Sequence, residues 1–458
     1  MKKLLKISGY ILIAAVFSIA LSGCTKKKTT ANPNASKMVV WSFEDEDVWK
    51  SVGQEFEDGN KGLEFVYQKQ TFDSGYENRV LNSILSGAGP DVWAMPNDWV
   101  YRHKDKLYPM PDKIKTATKT DLDNGFVPVI KQSVSFDGKI YALSPSAEPL
   151  IIYYNSKLFN AALNEYDDAH TGTANNDARE QAAKLLDQVP TNWTDFVEAV
   201  KLINKKDGNT ITRSGVALGT NKISNAKDVL YLLMLQNETK IVSDNLNLAT
   251  FSLPTETAQN TSDTPGLRAL QFYTSFANPA DPNYSWSDTL GNDVEAFVVG
   301  KVAMIFGYSS LQNALAQKYP DFQYRKASVP QLTAEPDKFI DFAKFTAFGV
   351  NTLSLNPDAA WDLVSTLAKS SDYNSALRLY TSKKVSSYDI TVAARQTNNP
   401  DGIELATAKT FTKGRYPLEF DQNILNAIYA VNNGVQDSKS ALDLAASNIT
   451  ELLRKTSW

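Results

Sequence analysis

Between residues 38 and 95 the apolar residues switch repeatedly between strand and helix spacing, and this alternation restricts the fold more than any other feature of the chain. Residues 38–42 (MVVWS) form a short β-rich run of the kind buried in a parallel sheet. Val48, Trp49, Val52 and Phe56 then recur at helical spacing, and the turn Gly59, Asn60, Lys61, Gly62 leads into a second strand at 63–67. Residues 76–85 read as another amphipathic helix, closed by the GAGP of 87–90, and 91–95 (DVWAM) as the next strand. Strand, helix, strand, helix, strand is the pattern of an open α/β sheet with right-handed crossovers.

Further on, helical signals dominate. Residues 193–203 form an amphipathic helix with Thr191 or Asn192 placed to cap it, residues 226–235 are strongly apolar, and 442–453 make a last amphipathic helix suited to docking on a lobe. Residues 167–179 are polar and aperiodic and are expected to form a loop or insertion; 253–265, rich in Thr, Ser and Pro, is another weak stretch. No internal repeat is visible.

The amino terminus has the layout of an export signal. Lys2, Lys3 and Lys6 precede an uncharged apolar run of about 11 residues, 10–20. A bilayer span takes ~20 residues, whereas a signal h-region has this length. The run ends in Leu21, Ser22, Gly23 and Cys24, the chain's one cysteine. Small residues before a cysteine resemble a bacterial lipobox, which implies cleavage before Cys24 and lipid on its thiol and new amino terminus. Residues 1–23 are therefore expected to be the signal peptide and 24–36 a flexible, lipid-anchored tether.

A lipidated Cys24 leaves no thiol for disulfides, nucleophiles or zinc. Such an exported domain relies on its core, and about 420 residues suffice for two lobes. Without the first 23 residues, 44 basic side chains face 51 acidic ones, moving the net charge from −4 to −7. That sign argues against nucleic acid. The two histidines, His103 and His170, show no ligand-like spacing and are expected at the surface. No metal and no cofactor is implied.

Six blocks, in order, carry a family resemblance. They are 39–42 (VVWS); 83–92 (SILSGAGPDV), similar to "G-x-x-P-D-V"; and 138–144 (GKIYALS) leading into 148–155 (EPLIIYYN), similar to "G-x-x-Y-x-x-P … L-x-Y-N". Then come 190–196 (PTNWTDF), similar to "P-x-T-W-x-x-F"; 297–304 (FVVGKVAM), matching "F-x-x-G-x-x-A-M"; and 348–351 (FGVN) followed by 358–361 (DAAW). Together they resemble the family 1 extracellular solute-binding proteins of ABC importers, the carbohydrate-binding branch that includes the maltose-binding proteins. Ser144 stands where the pattern has proline, Asn192 where it has threonine, and 167–179 is longer than usual.

The resemblance implies an α/β, two-lobed periplasmic-binding-protein fold (type II-like), each lobe an open sheet flanked by helices, hinged around a central cleft. Residues 37–147 plus 350–395 would form the first lobe and 148–349 plus 396–458 the second, with crossings near 146–150, 345–349 and Arg395. The implied function is capture of a mono- or oligosaccharide by hinge closure and its delivery to membrane permease subunits, by a monomer held to the membrane through Cys24.

Sugars present hydroxyl rims and apolar C–H faces, so a sugar cleft needs hydrogen-bonding carboxylates or amides and flat aromatic rings. Ligands bind beyond the carboxyl ends of strands in open α/β sheets. Candidates so placed are Glu44 and Asp45 after the first strand, Asp98 and Trp99 after the 91–95 strand, and Glu148 on the crossing. Asn221 follows the 216–218 strand, Tyr308 follows 304–306, Phe345 lies at the hinge, and Arg395 resembles a late cleft-facing "P-x-R" segment without its proline. Trp41 and Phe348 are as readily core residues. Two rival functions use the same acids and aromatics: a secreted glycoside hydrolase, which needs a carboxylate pair flanking one bond, and a surface adhesion lipoprotein. No catalytic residue is assigned.

Overall fold

The computed structural model describes residues 37–114, 125–171, 176–254, 263–377, 380–381 and 404–455. In chain order its strands are β1 (Lys37–Ser42), β2 (Glu64–Lys69), β3 (Val92–Pro96), β4 (Ser135–Phe136), β5 (Lys139–Ile140), β6 (Ala142–Leu143) and β7 (Ser146–Tyr154). There follow β8 (Lys205–Asp207), β9 (Thr210–Val216), β10 (Val302–Tyr308), β11 (Arg325–Ala327), β12 (Asp341–Lys344), β13 (Thr346–Val350), β14 (Tyr380–Thr381) and β15 (Ala408–Lys409).

The alternation at the start of the domain builds the first sheet, ordered β2-β1-β3-β13-β6. β1 lies parallel to both β2 and β3. Helix Glu46–Gly59 crosses between β1 and β2, burying Trp49, Val52 and Phe56 of the stripe its spacing predicts together with Gly53, while Val48 is half-buried. A Cβ on Gly53 would stand 2.5 Å from the Phe65 ring, so glycine lets this helix approach β2. The β4–β5 hairpin turns on Asp137 and Gly138, both at positive φ, as a two-residue Asp-Gly turn requires.

The second sheet is ordered β15-β12-β7-β10-β9-β8, with β11 and β14 also pairing with β7. β7 is the strand common to both halves. Its Ala147 packs in the first core and Leu150 in the second, so the chain changes lobe at Glu148 and Pro149. Phe342 belongs to the second core, whereas Ala343, Phe345, Ala347 and Phe348 belong to the first. The return crossing thus falls earlier than 349, because β13 inserts antiparallel beside β3 and its apolar residues are covered there. Leu405 and Ala408 also sit in the first core, while Phe411 and Phe420 pack on the second; the expected assignment of 396–458 to the second lobe is corrected to that extent. Arg395 and Cys24 lie outside the described residues.

Two local expectations are sharpened. Asn192, not Thr191, caps helix Trp193–Ile203, its Oδ1 accepting from Asp195 N at 2.9 Å. Part of 167–179 is helical, belonging to Ser156–Ala169 and Asn176–Asp187, where the Arg179 guanidinium grips both Asp167 oxygens at 2.8 and 2.9 Å. Among the described residues no helix is long and apolar enough to cross a membrane.

Candidate functional site

The parallel strands β1, β2 and β3 end along one edge of the first sheet. Past β1, Glu44 turns back on its own lobe: its Oε2 accepts from Ser42 Oγ at 2.5 Å, Phe43 N at 3.2 Å and Trp49 Nε1 at 3.3 Å. Burial first, then the Glu44 charge, pushes the Tyr67 and Tyr373 hydroxyls above the usual tyrosine range. Asp45 is exposed and pairs with Lys69 at the surface. Trp41 is half-buried.

Past β3, buried Asn97 stitches the strand to the β12–β13 turn, donating its N–H to Phe345 O at 3.0 Å and accepting from Phe345 N at 3.3 Å. Asp98 and Trp99 then diverge. The Asp98 carboxylate reaches Lys413 Nζ at 3.2 Å, whereas the Trp99 indole is buried, 6.4 Å from the Tyr76 ring and stacked on it. The aromatic surface at this edge comes instead from Phe72, which is 52% exposed and rests on Phe43 at 5.1 Å and Trp99 at 5.8 Å. Phe345, expected to face solute, is buried in the first core, as is Phe348.

Beneath this edge, Glu77 takes hydrogen bonds from Arg102 Nε at 2.5 Å and lies 2.9 Å from His103 Nε2. His103 is 0% exposed, packed between Trp93 and Trp99, so the expectation of a surface histidine is corrected. Burial resists ionisation of Glu77, but His103 and Arg102 outweigh it and hold the pKa at about 2. A lowered carboxylate pKa contributes stability that is present above the ordinary value of 4.5 and lost as pH falls towards 2. At about 1.4 kcal/mol per unit the contribution is on the order of 3 kcal/mol. Urea midpoints at pH 6 and pH 3 should therefore fall further for the wild type than for Glu77→Gln; equal falls would sink this assignment.

The second lobe answers with the end of β10 and the first turn of two helices. Glu148 Oε2 accepts from Ser310 N at 2.8 Å and Ser309 Oγ at 3.4 Å. Tyr308, just before them, lies under Lys344 Nζ at 3.8 Å, with its hydroxyl buried towards Asp228. Burial, then the charge of neighbouring Asp228, pushes that hydroxyl well up. Lys227 pairs with Asp228 at 2.8 Å and Asp421 at 3.2 Å. Asp421 takes the Tyr231 hydroxyl at 2.7 Å and Lys413 Nζ at 2.7 Å. Burial disfavours the charged lysines, yet the carboxylates prevail and hold Lys227 and Lys413 above the ordinary range, with Asp228 held below its own.

Asp98 and Tyr308 are thereby joined through Lys413, Asp421, Lys227, Asp228 and Lys344 into one polar cluster drawing on both lobes, with Glu148 held alongside Tyr308 by Ser309 and Ser310. Asn221 sits half-buried in the turn beyond β9 and takes no part in the contacts that join this cluster. Five of the cluster's side chains, with Phe72, escape sequence reasoning. Among the described residues no group of three or more histidine, cysteine or acidic side chains could hold a metal ion.

Comparison with known proteins follows the same line. The maltodextrin-binding protein MdxE of Bacillus subtilis is 26% identical over 227 residues, covering 48% of this chain and 52% of the relative. A maltotriose-binding protein of Pyrococcus abyssi is 24% identical over 143 residues, 30% of each chain. The chain thus spans between about a third and a half of the length of these curated relatives. In structure, the sugar-binding protein MalE from Xanthomonas citri superposes with a TM-score of 0.67 at 17% identity, over 91% of this chain and 97% of that one, which shows the two-lobed fold. The family model for bacterial extracellular solute-binding proteins matches residues 41–372, more than half of the chain. The chain belongs to the bacterial extracellular solute-binding protein family.

Proposed function

We propose that this protein is the extracytoplasmic solute-binding component of an ABC importer, capturing a sugar or oligosaccharide by closure of its two lobes and passing it on to permease subunits without chemical turnover. The observation that carries the reading is the polar cluster drawn from both lobes at the strand ends, on an edge where Phe72 leaves an exposed ring packed on Trp99, the residue after Asp98. Closure is favoured only by a ligand that touches both lobes, and carboxylates, ammonium groups and an aromatic face are the chemistry that hydroxyl rims and C–H faces need. The names of the relatives, which specify maltotriose, maltodextrin and galactooligosaccharide, support the substrate class. The lipobox supports an anchor on Cys24, with the tether holding a monomeric domain outside the membrane.

Thermal denaturation of the domain with maltotriose, maltodextrins and galactooligosaccharides tests the reading. Ligand at 100 times its Kd should add about 2.7 kcal/mol of stability, and Glu148→Gln should weaken binding about tenfold through loss of a charged acceptor. No shift with any carbohydrate would remove the sugar assignment, and shortened products would convert the reading to a hydrolase. Cys24→Ser should release the protein from membranes into the medium.

A further inference from the structure

Segment 409–416 runs from the first core to the second and is tied to both. On the first-lobe side Thr410 N donates to Gln132 Oε1 at 2.9 Å, Arg102 Nη1 donates to the Arg415 carbonyl, and Arg415 Nη1 stands 3.9 Å from Asp105. On the second-lobe side Phe411 meets the Tyr231 ring at 4.9 Å and the Phe420 ring at 5.7 Å. Lys413 belongs to both sets. Its side chain is 7% exposed, and its ammonium lies 3.2 Å from Asp98 of the first lobe and 2.7 Å from Asp421 of the second.

From this geometry we infer that Lys413 is an interlobe latch, a positioning residue that sets how far the empty cleft is already closed and thereby the affinity for solute. The inference rests on the hinge-closure reading above. Asp98 and Asp421 are both anionic neighbours of one ammonium, so each lobe presents a carboxylate that would repel the other if Lys413 were neutral. With the lysine between them, separating the lobes must break a buried, charge-assisted contact. Lys227 makes its close ion pairs with Asp228 and Asp421 of the second lobe and reaches the Asp98 charge only at longer range, so Lys413 is the ammonium in direct contact with a carboxylate of each lobe. A ligand for a fractionally populated closed state binds more weakly by that fraction. Every contact that favours the closed, unliganded state therefore tightens binding, over and above any contact the same group makes with the ligand.

The test uses the compact unit Ser36–Trp458, which lacks the chain's cysteine. Glu55→Cys and Lys184→Cys, exposed positions on the first and second lobes, carry a fluorophore pair that reports the interlobe distance. Without ligand, Lys413→Met and the milder Asp98→Asn should each shift that distance towards the open form. Each should also weaken maltooligosaccharide binding, Lys413→Met by about tenfold or more. The double variant should lie close to the stronger single one rather than at the product of the two. Unchanged distances, or effects that multiply independently, would overturn the latch. Should the distances respond while no carbohydrate binds, the latch stands and the sugar reading falls; should sugar bind while the distances stay unresponsive, the latch falls and the sugar reading stands.

Discussion

Gly266→Ala is expected to destabilise the domain by about 3 kcal/mol or more, at the upper end of what overpacking costs. Gly266 is the second residue of helix Pro265–Ser275, which Thr264 caps by accepting from Leu267 N at 3.3 Å. A Cβ at this position would stand 2.0 Å from the carbonyl oxygen of Phe251, a backbone atom that cannot rotate aside. Phe251 is fully buried in the second core, so either the helix lifts or the 241–251 turn is pushed out, and both open packing elsewhere. Gly59→Ala is the matched comparison, with the same methyl added at the end of helix Glu46–Gly59 and no atom within 4 Å of it. That change should leave the urea midpoint within about 0.5 kcal/mol of wild type. If Gly266→Ala falls within about 1 kcal/mol of wild type, the close approach is not a constraint on the fold.

Such a constraint shows where sequence reading runs out. The first sheet is legible because its elements are local: residues 38–95 alternate between the strand and helix spacings, and β1, β2 and β3 with the helices between them follow in chain order. Gly87 to Pro90 stop a helix by properties of their own backbone. β13 is harder. Residues 345–349 read as a hinge, but the partners of β13, Val92–Pro96, lie far back in the chain, and no period reveals that pairing. The third crossing, at 408–411, is hidden for the same reason.

Site residues divide along the same line. Asp98 and Glu148 can be named because they directly follow or lie on strands, where an open sheet places its ligands. Trp99 cannot be separated from Asp98 by sequence, since adjacent residues leaving a strand point in different directions and only the packing of Phe72 and Tyr76 decides which one is covered. His103 is polar and stands beside charged residues, yet Glu77 and two tryptophans give it a buried place. Lys413 and Asp421 lie in an unremarkable stretch, and Asp98, the first-lobe partner of Lys413, is 315 residues away from it.

Loss of Asp421 is expected to be the most damaging single change within the cluster. The Asp421 carboxylate receives Lys413, Lys227 and the Tyr231 hydroxyl, and it is 12% exposed. Asp421→Ala would leave Lys413 sharing only Asp98 and Lys227 sharing only Asp228, with the Tyr231 hydroxyl deprived of its acceptor inside the core. Removing one partner of a buried ion pair costs about 3–5 kcal/mol, and because Asp98 and Asp228 still face the two ammonium groups, the lower end of that range is expected here. Replacing both sides behaves differently: Lys413→Leu combined with Asp421→Leu removes an ammonium and its carboxylate together, and apolar groups of similar size fill the space. The double variant should therefore be more stable than Asp421→Ala, and its cost well below the sum of the two single losses. Urea denaturation of wild type, Lys413→Leu, Asp421→Leu and the double variant gives the coupling directly. A single loss below about 1 kcal/mol would mean that water already reaches this cluster, and the charges would then be surface pairs of little energetic consequence.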